Sequence, residues 1–191
     1  FQIASLSGNR NAKYSYAQLL TRGIGGIQQN NDEASIIFSE LAEEGHAYSQ
    51  FSLAGMYYSG IGVEQDFKAS LSLYELAAEN GVHQGYNNAG KMYMNGDGVE
   101  KDYEKALVCF KKGSEKNDPQ CCMSMALCYS RGYGVDENHK EAFSYHEKAA
   151  TMGYIPAVYN IGTHYFSGKG TSTDFVKAAE CFKIAADHGF T

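Results

Sequence analysis

A chain of 191 residues with 43% hydrophobic side chains is long enough to bury a sizeable core. Its balance of 16 basic to 22 acidic residues, net −6, argues against nucleic acid or an anionic membrane surface as the main partner. No apolar run approaches the ~20 residues needed to span a bilayer, so direct membrane insertion is not expected.

The opening segment Phe1–Gly8, FQIASLSG, aligns with FKIAADHG, Phe182–Gly189. The chain is therefore expected to start inside the second helix of an earlier repeat, with residues 1–7 as its end. Gly8 opens a complete repeat carrying Ala12, Tyr14, Ala17, Gly23 and Gly25, with one residue inserted after Gly25. A second helix is expected over roughly Asp32–Glu43, with Ala34, Phe38 and Ala42 on its buried face. The next stretch, Gly45–Asn80, defines the pattern. Apolar and small residues at helical spacing predict one helix over Ala47–Tyr58 and another over Phe67–Ala78. Gly60 suits the left-handed residue that closes the first helix, and Asp66 the N-cap of the second.

The same marks return every 36 residues. Gly60 becomes Gly96, Gly132 and Gly168; Gly62 becomes Gly98, Gly134 and Gly170; Tyr57 becomes Tyr93, Tyr129 and Tyr165; Asp66 becomes Asp102, Asn138 and Asp174. A fixed period of this length predicts a solenoid. Five repeats follow, 8–44, 45–80, 81–116, 117–152 and 153–188, with no linker between them, and they read as one domain. Pro119 and Pro156 fall in the first turns of first helices, where a missing N–H costs little. Small residues recur at Ala54, Gly90, Ala126 and Gly162, and at Ser70, Ala106, Ala142 and Ala178, where helices are expected to approach closely. Both ends match interior repeat sequence, so the chain reads as an excerpt of a longer array. Self-association through its last repeat is expected.

The runs AGMYYSGIGVEQD, AGKMYMNGDGVEKDYEKA and IGTHYFSGKG resemble the Sel-one-like repeat, a cousin of the tetratricopeptide repeat. The resemblance covers nearly the whole chain. It implies an all-α, right-handed α-solenoid of helix pairs and a protein-interaction scaffold. It also implies two further settings: a substrate-recruiting repeat subunit of an endoplasmic-reticulum ubiquitin-ligase complex, or the regulatory repeats of a larger enzyme. Some bacterial relatives bridge a cysteine at the end of one second helix to one eight residues later. Here those positions hold Ser114 and Cys122, so that bridge cannot form. The five cysteines are expected to be buried free thiols. With no N-x-S/T sequon, they lean toward a reducing compartment; the cytoplasm is favoured over an endoplasmic-reticulum lumen or periplasm.

Catalytic chemistry finds little support. The Gly-x-Gly loops follow no strand and read as turns rather than phosphate cradles. His146-Glu147 begins like HExxH, but Ala150 stands where the second histidine belongs, and His146 occupies the position of Phe38, Tyr74, Phe110 and Phe182, a core position. Cys128 and His164 share a register position and are expected to be able to approach each other, short of a metal site. No S-x-x-K occurs for a serine nucleophile. The chain is expected to be no enzyme and to need no cofactor or metal.

What remains is a surface. In tetratricopeptide-like arrays the first helices line the concave face. Counting from the repeat tyrosine, the inward positions carry Tyr14, Tyr48, Phe51 and Tyr58, then Gln84, Asn87, Lys91 and Met94, then Met123, Arg131, Tyr159 and Phe166. Aromatics and Met interleaved with amides and cations have the composition of binding hot spots, which suits a protein or peptide partner. Ser15, Ser52, Asn88, Ser124 and Asn160 share one further position and read either as a polar ladder for an extended backbone or as bonds within the helix pairs.

Overall fold

The computed structural model describes residues 9–190; the expected helix end at residues 1–7 lies outside the described residues. Ten α-helices and no strand occur among the described residues: α1 (Arg10–Arg22), α2 (Asn31–Glu43), α3 (Ala47–Ser59), α4 (Phe67–Glu79), α5 (Gln84–Asn95), α6 (Tyr103–Glu115), α7 (Pro119–Arg131), α8 (His139–Thr151), α9 (Ile155–Ser167) and α10 (Phe175–Asp187). This is an all-α solenoid of helix pairs. None of the described helices is long and apolar enough to cross a membrane.

Two features of the sequence set the helix ends. Each first helix closes on a left-handed glycine: Gly60, at φ +68°, sends its N–H to the Met56 carbonyl, and Gly96, Gly132 and Gly168 repeat the bond to Met92, Cys128 and His164. Each second helix begins at an Asx residue whose side chain accepts amides of the first turn, as Asp66 does from Lys68 and Ala69. The two ends are tied together by the repeat tyrosine. The backbone N–H of Asp66 donates to the Tyr57 carbonyl at 3.0 Å, and Asp102, Asn138 and Asp174 do the same to Tyr93, Tyr129 and Tyr165.

From Gly62 onward the second glycine of each turn has a different task. A methyl group on Gly62 would run into the Asn31 carbonyl, one on Gly98 into Phe67, one on Gly134 into Tyr103 and Leu107, and one on Gly170 into the His139 carbonyl. Each turn is thus seated on the start of the preceding second helix, with no room for a side chain between them.

The chain forms two compact units, one holding the chain up to Met92 together with Gly96–Glu100, the other Tyr93–Asn95 together with the chain from Lys101. In the first unit α1 packs on α2, α2 on α3 and α3 on α4. Its core gathers Ala17, Leu20, Ala34, Phe38, Ala42, Leu53 and Met56. The small positions are buried here: Ser70 and Ala54 are both fully buried, and the Ser70 hydroxyl donates to the Ala54 carbonyl at 2.8 Å. In the second unit α6 to α10 pack in sequence. One cluster joins Ala106 and Phe110 to Met125 and Cys128, and another joins Cys122 to Ala149 and Ala157. All five cysteines are free thiols; four are buried and Cys181 is half-buried. Burial pushes the Cys128 thiol up to about 11 and raises Cys121 further.

Candidate partner-binding surface

In the first unit, α3 presents Tyr48, Phe51 and Tyr58 at i, i+3 and i+10, along one stripe of the helix. Tyr48 is 59% exposed and stands 6.0 Å, ring to ring, from Tyr14 of α1; Tyr14 also meets Phe38 and His46. The Tyr14 hydroxyl is fixed by Gln18, which donates to it at 2.8 Å. Tyr58 stands edge-on to Phe67 and donates its hydroxyl to Asp97 at 3.0 Å; that hydrogen bond, with burial, pushes its phenol above the ordinary range. Phe51 is half-buried against Tyr74. On α5, Gln84 and Lys91 are exposed.

Asn87 departs from its expected place. It is 0% exposed, buried with the helix-pair interior rather than offered to a partner. The cause lies two residues earlier. Gly85 occupies the position of Ser49, Cys121 and Ala157, and a methyl group there would strike the Tyr74 carbonyl and Ala78. Without a side chain at 85 the start of α5 closes onto α4. An asparagine, shorter than the Phe51, Met123 or Tyr159 of other repeats, is then covered.

In the second unit, Met94 and Met123 are half-buried, the first against the Phe110 cluster and the second against the Cys122 cluster. Tyr159 is exposed at its edge and lies 5.3 Å from both Phe182 and Phe190. Phe166, 61% exposed, stands edge-on to Phe175. Arg131 ends α7 in solvent.

At the shared polar position Ser52, Asn88 and Asn160 turn inward and Ser124 is buried, whereas Ser15 is exposed. Ser52 lies 3.5 Å from the Tyr14 hydroxyl, Asn88 hydrogen-bonds Tyr74, and Asn160 reaches His146 at 3.3 Å. His146 is buried as its register predicts, and His164 meets it rather than Cys128. Among the described residues no three His, Cys, Asp or Glu side chains gather to hold a metal. The Gly168–Gly170 turn borders an open cleft of about 450 Å³ with His139 and Lys140, but Gly170 is seated on the His139 carbonyl, much as Gly62, Gly98 and Gly134 are seated on earlier second helices.

The Sel1 repeat pattern matches residues 11–46, 47–82, 83–118, 119–154 and 155–190. Among solved structures, the chain is similar to a Sel1 repeat protein from Oxalobacter formigenes, with 27% identity and a TM-score of 0.90, covering 99% of this chain and 77% of that one. It is also similar to a protective antigen of uropathogenic Escherichia coli with an SLR fold, at 30% identity and a TM-score of 0.87, covering 96% of this chain. A Sel1-like repeat-containing protein of Schizosaccharomyces pombe is 42% identical over 41 residues, 22% of this chain. The chain spans 39% of the length of the E. coli antigen, and the yeast match 6% of the yeast protein. Sel1 repeat proteins are generally protein-interaction scaffolds and typically non-catalytic. With five consecutive matches from residue 11 to residue 190, the chain belongs to the Sel1 repeat family.

Proposed function

We propose that this chain is a non-catalytic adaptor, one repeat domain whose first helices hold a peptide or protein segment. The observation that supports this most is the exposure of large aromatic rings on first helices, Tyr48 in the first unit and Phe166 in the second. The exposed cations Lys91 and Arg131 join no ion pair among the described residues and supply donors for backbone or acidic oxygens. Tyr14, Tyr58, Gln84, Met94, Met123 and Tyr159 complete the two patches, with Phe51 supporting from the half-buried side. Each exposed aromatic anchor contributes ~1–2 kcal/mol to a partner that covers it.

The test is selection of binding peptides from a displayed library on the folded chain, followed by affinity measurement on two variants. Tyr48→Ala/Phe166→Ala should weaken the selected peptides at least tenfold, while the second-helix variant Lys68→Ala/Lys111→Ala leaves them unchanged. Circular dichroism first establishes that both fold. Peptides that lose affinity only for the second-helix variant would place the binding face elsewhere.

A second reading concerns self-association. Phe175 and Val176 of α10 are 64% and 70% exposed, and only Ala178 and Ala185 of that helix are buried. This apolar face suits the first helix of another Sel1-type pair, so the chain should self-associate through it. Sedimentation at rising concentration tests this: Phe175→Ser should shift the chain toward monomer, and a monomer unaffected by concentration ends the idea.

A further inference from the structure

At three of the helix-to-helix steps of this array the same two positions hold residues of the buried core. Phe38 and Met56 share a core cluster, Phe110 and Cys128 share another, and the equivalent Tyr74 and Met92 are both buried. At the step from α8 to α9 both positions change together, to His146 and His164. The rings meet with His146 Nδ1 3.0 Å from His164 Nε2, and the residues are 9% and 8% exposed.

The protons on these rings are dictated from one end. His164 Nδ1 lies 2.6 Å from the Lys169 carbonyl, which can only accept, so this nitrogen carries hydrogen. In the neutral ring Nε2 is then an acceptor, so His146 Nδ1 donates to it. That leaves His146 Nε2 as the acceptor for the Asn160 amide, 3.3 Å away. All four ring nitrogens are spent in a relay running Asn160, His146, His164, Lys169. A second hydrogen on His164 Nε2 would face the N–H of His146. A second hydrogen on His146 Nε2 would face the Asn160 amide N–H. A proton enters only if the relay reverses and the amide turns over, and it then leaves a buried positive charge.

We propose that this relay is an acid-released latch, tying α8 to α9 and to the Gly168–Gly170 turn only while it carries no added proton. Among the described residues no carboxylate contributes to the shift of His146, whose causes are burial and His164. From α8 the neighbour is the Phe143 ring, edge-on to His164 at 5.4 Å. From α9 come Asn160 and His164 itself, and Tyr165 faces Phe143. From α7, Tyr129 stacks on Tyr145, Arg131 is in solvent, and the thiols are held protonated by burial. From α10, Lys177 is engaged with Asp174 and the Tyr165 ring. Burial first, and then the neighbouring His164 ring, hold His146 down at about 4, against an ordinary 6.5. A histidine lowered in this way stays neutral when folded but takes a proton when unfolded. The latch therefore contributes fully above pH 6.5 and is lost as pH falls from 6.5 through 4. Phe166 lies two residues beyond His164, so release also loosens the exposed aromatic nearest the turn.

The test is urea unfolding of the 191-residue chain at pH 7.5 and 5.0, beside His146→Phe/His164→Met, which restores the residue types of the other steps. The folding equilibrium constant of the unmodified chain should fall about 30-fold more than that of the variant between these pH values, from the linkage of a single group moved from 6.5 to about 4. Proteolysis within residues 168–172 should quicken at pH 5.0 in the unmodified chain alone. Equal pH dependence in both proteins overturns the proposal. Should the variant not fold, imidazole NMR titration of the unmodified chain decides: a His146 ring still neutral at pH 5 supports the latch, and one titrating at 6.5 overturns it.

Discussion

Gly98 and Gly45 separate two costs that a turn glycine carries. Both have left-handed backbones, at φ +74° and +82°. Around Gly45 nothing described lies within 4 Å of an added methyl, whereas at Gly98 the methyl would run into Phe67. Gly45→Ala should therefore cost ~1 kcal/mol, from backbone strain alone. Gly98→Ala adds overpacking against α4 and should cost ~3 kcal/mol in total. Urea midpoints of the two variants measure the difference, and equal midpoints would mean that the turn is not seated as described. The cap aspartates make a second residue-scale case. Amide bonds from the first turn, led by that of Lys105, hold the Asp102 carboxyl below the ordinary range. A lowered carboxylate contributes stability above its unfolded value and loses it as pH falls through the folded one. Asp102→Asn keeps the cap and removes this charge, so the variant should lose less stability than the parent on acidification below pH 4.

Many helix boundaries were readable because they have a local chemical cause. Asp66 and Asp102 cap, Gly60 and Gly96 terminate, and the helices predicted at Ala47–Tyr58 and Phe67–Ala78 occupy Ala47–Ser59 and Phe67–Glu79. The neighbours of a side chain were less readable. Comparing positions one period apart suggests His164 beside Cys128, yet the close contacts run half a period, from a second helix to the next first helix. Phe38 with Met56, Phe110 with Cys128 and His146 with His164 are all 18 residues apart. Asn87 escaped for a related reason: its burial is set by what Gly85 lacks, and a stripe of inward positions does not register how closely one helix lies on another. The candidate surface was therefore legible in composition but not in depth, since Phe51 and Met123 share its stripe while lying half inside the core.

At the scale of the whole chain, stability is shared between neighbours, and a helix is held in proportion to the apolar surface its neighbours cover. Helix α4 buries Ser70, Leu71, Tyr74, Ala77 and Ala78; α10 buries Ala178 and Ala185. At concentrations low enough to keep the 191-residue chain monomeric, the amides of α10 should exchange with solvent at least tenfold faster than those of α4, as hydrogen-exchange mass spectrometry would measure. Similar protection in both would mean that the exposed face of α10 is covered in solution, which is the outcome expected of a self-associated chain.

The half-period contact also bears on how such a chain can be recombined. A block exchanged from glycine to glycine, cut at Gly153, carries His164 away from His146 and splits the relay between donor and recipient. The 36 residues Val135–Gly170, cut instead within two successive turns, hold Asn160, both imidazoles and the Lys169 carbonyl in one piece. The unit that reads as a repeat is thus not the unit that packs, and only the second can be transplanted with its acid response intact.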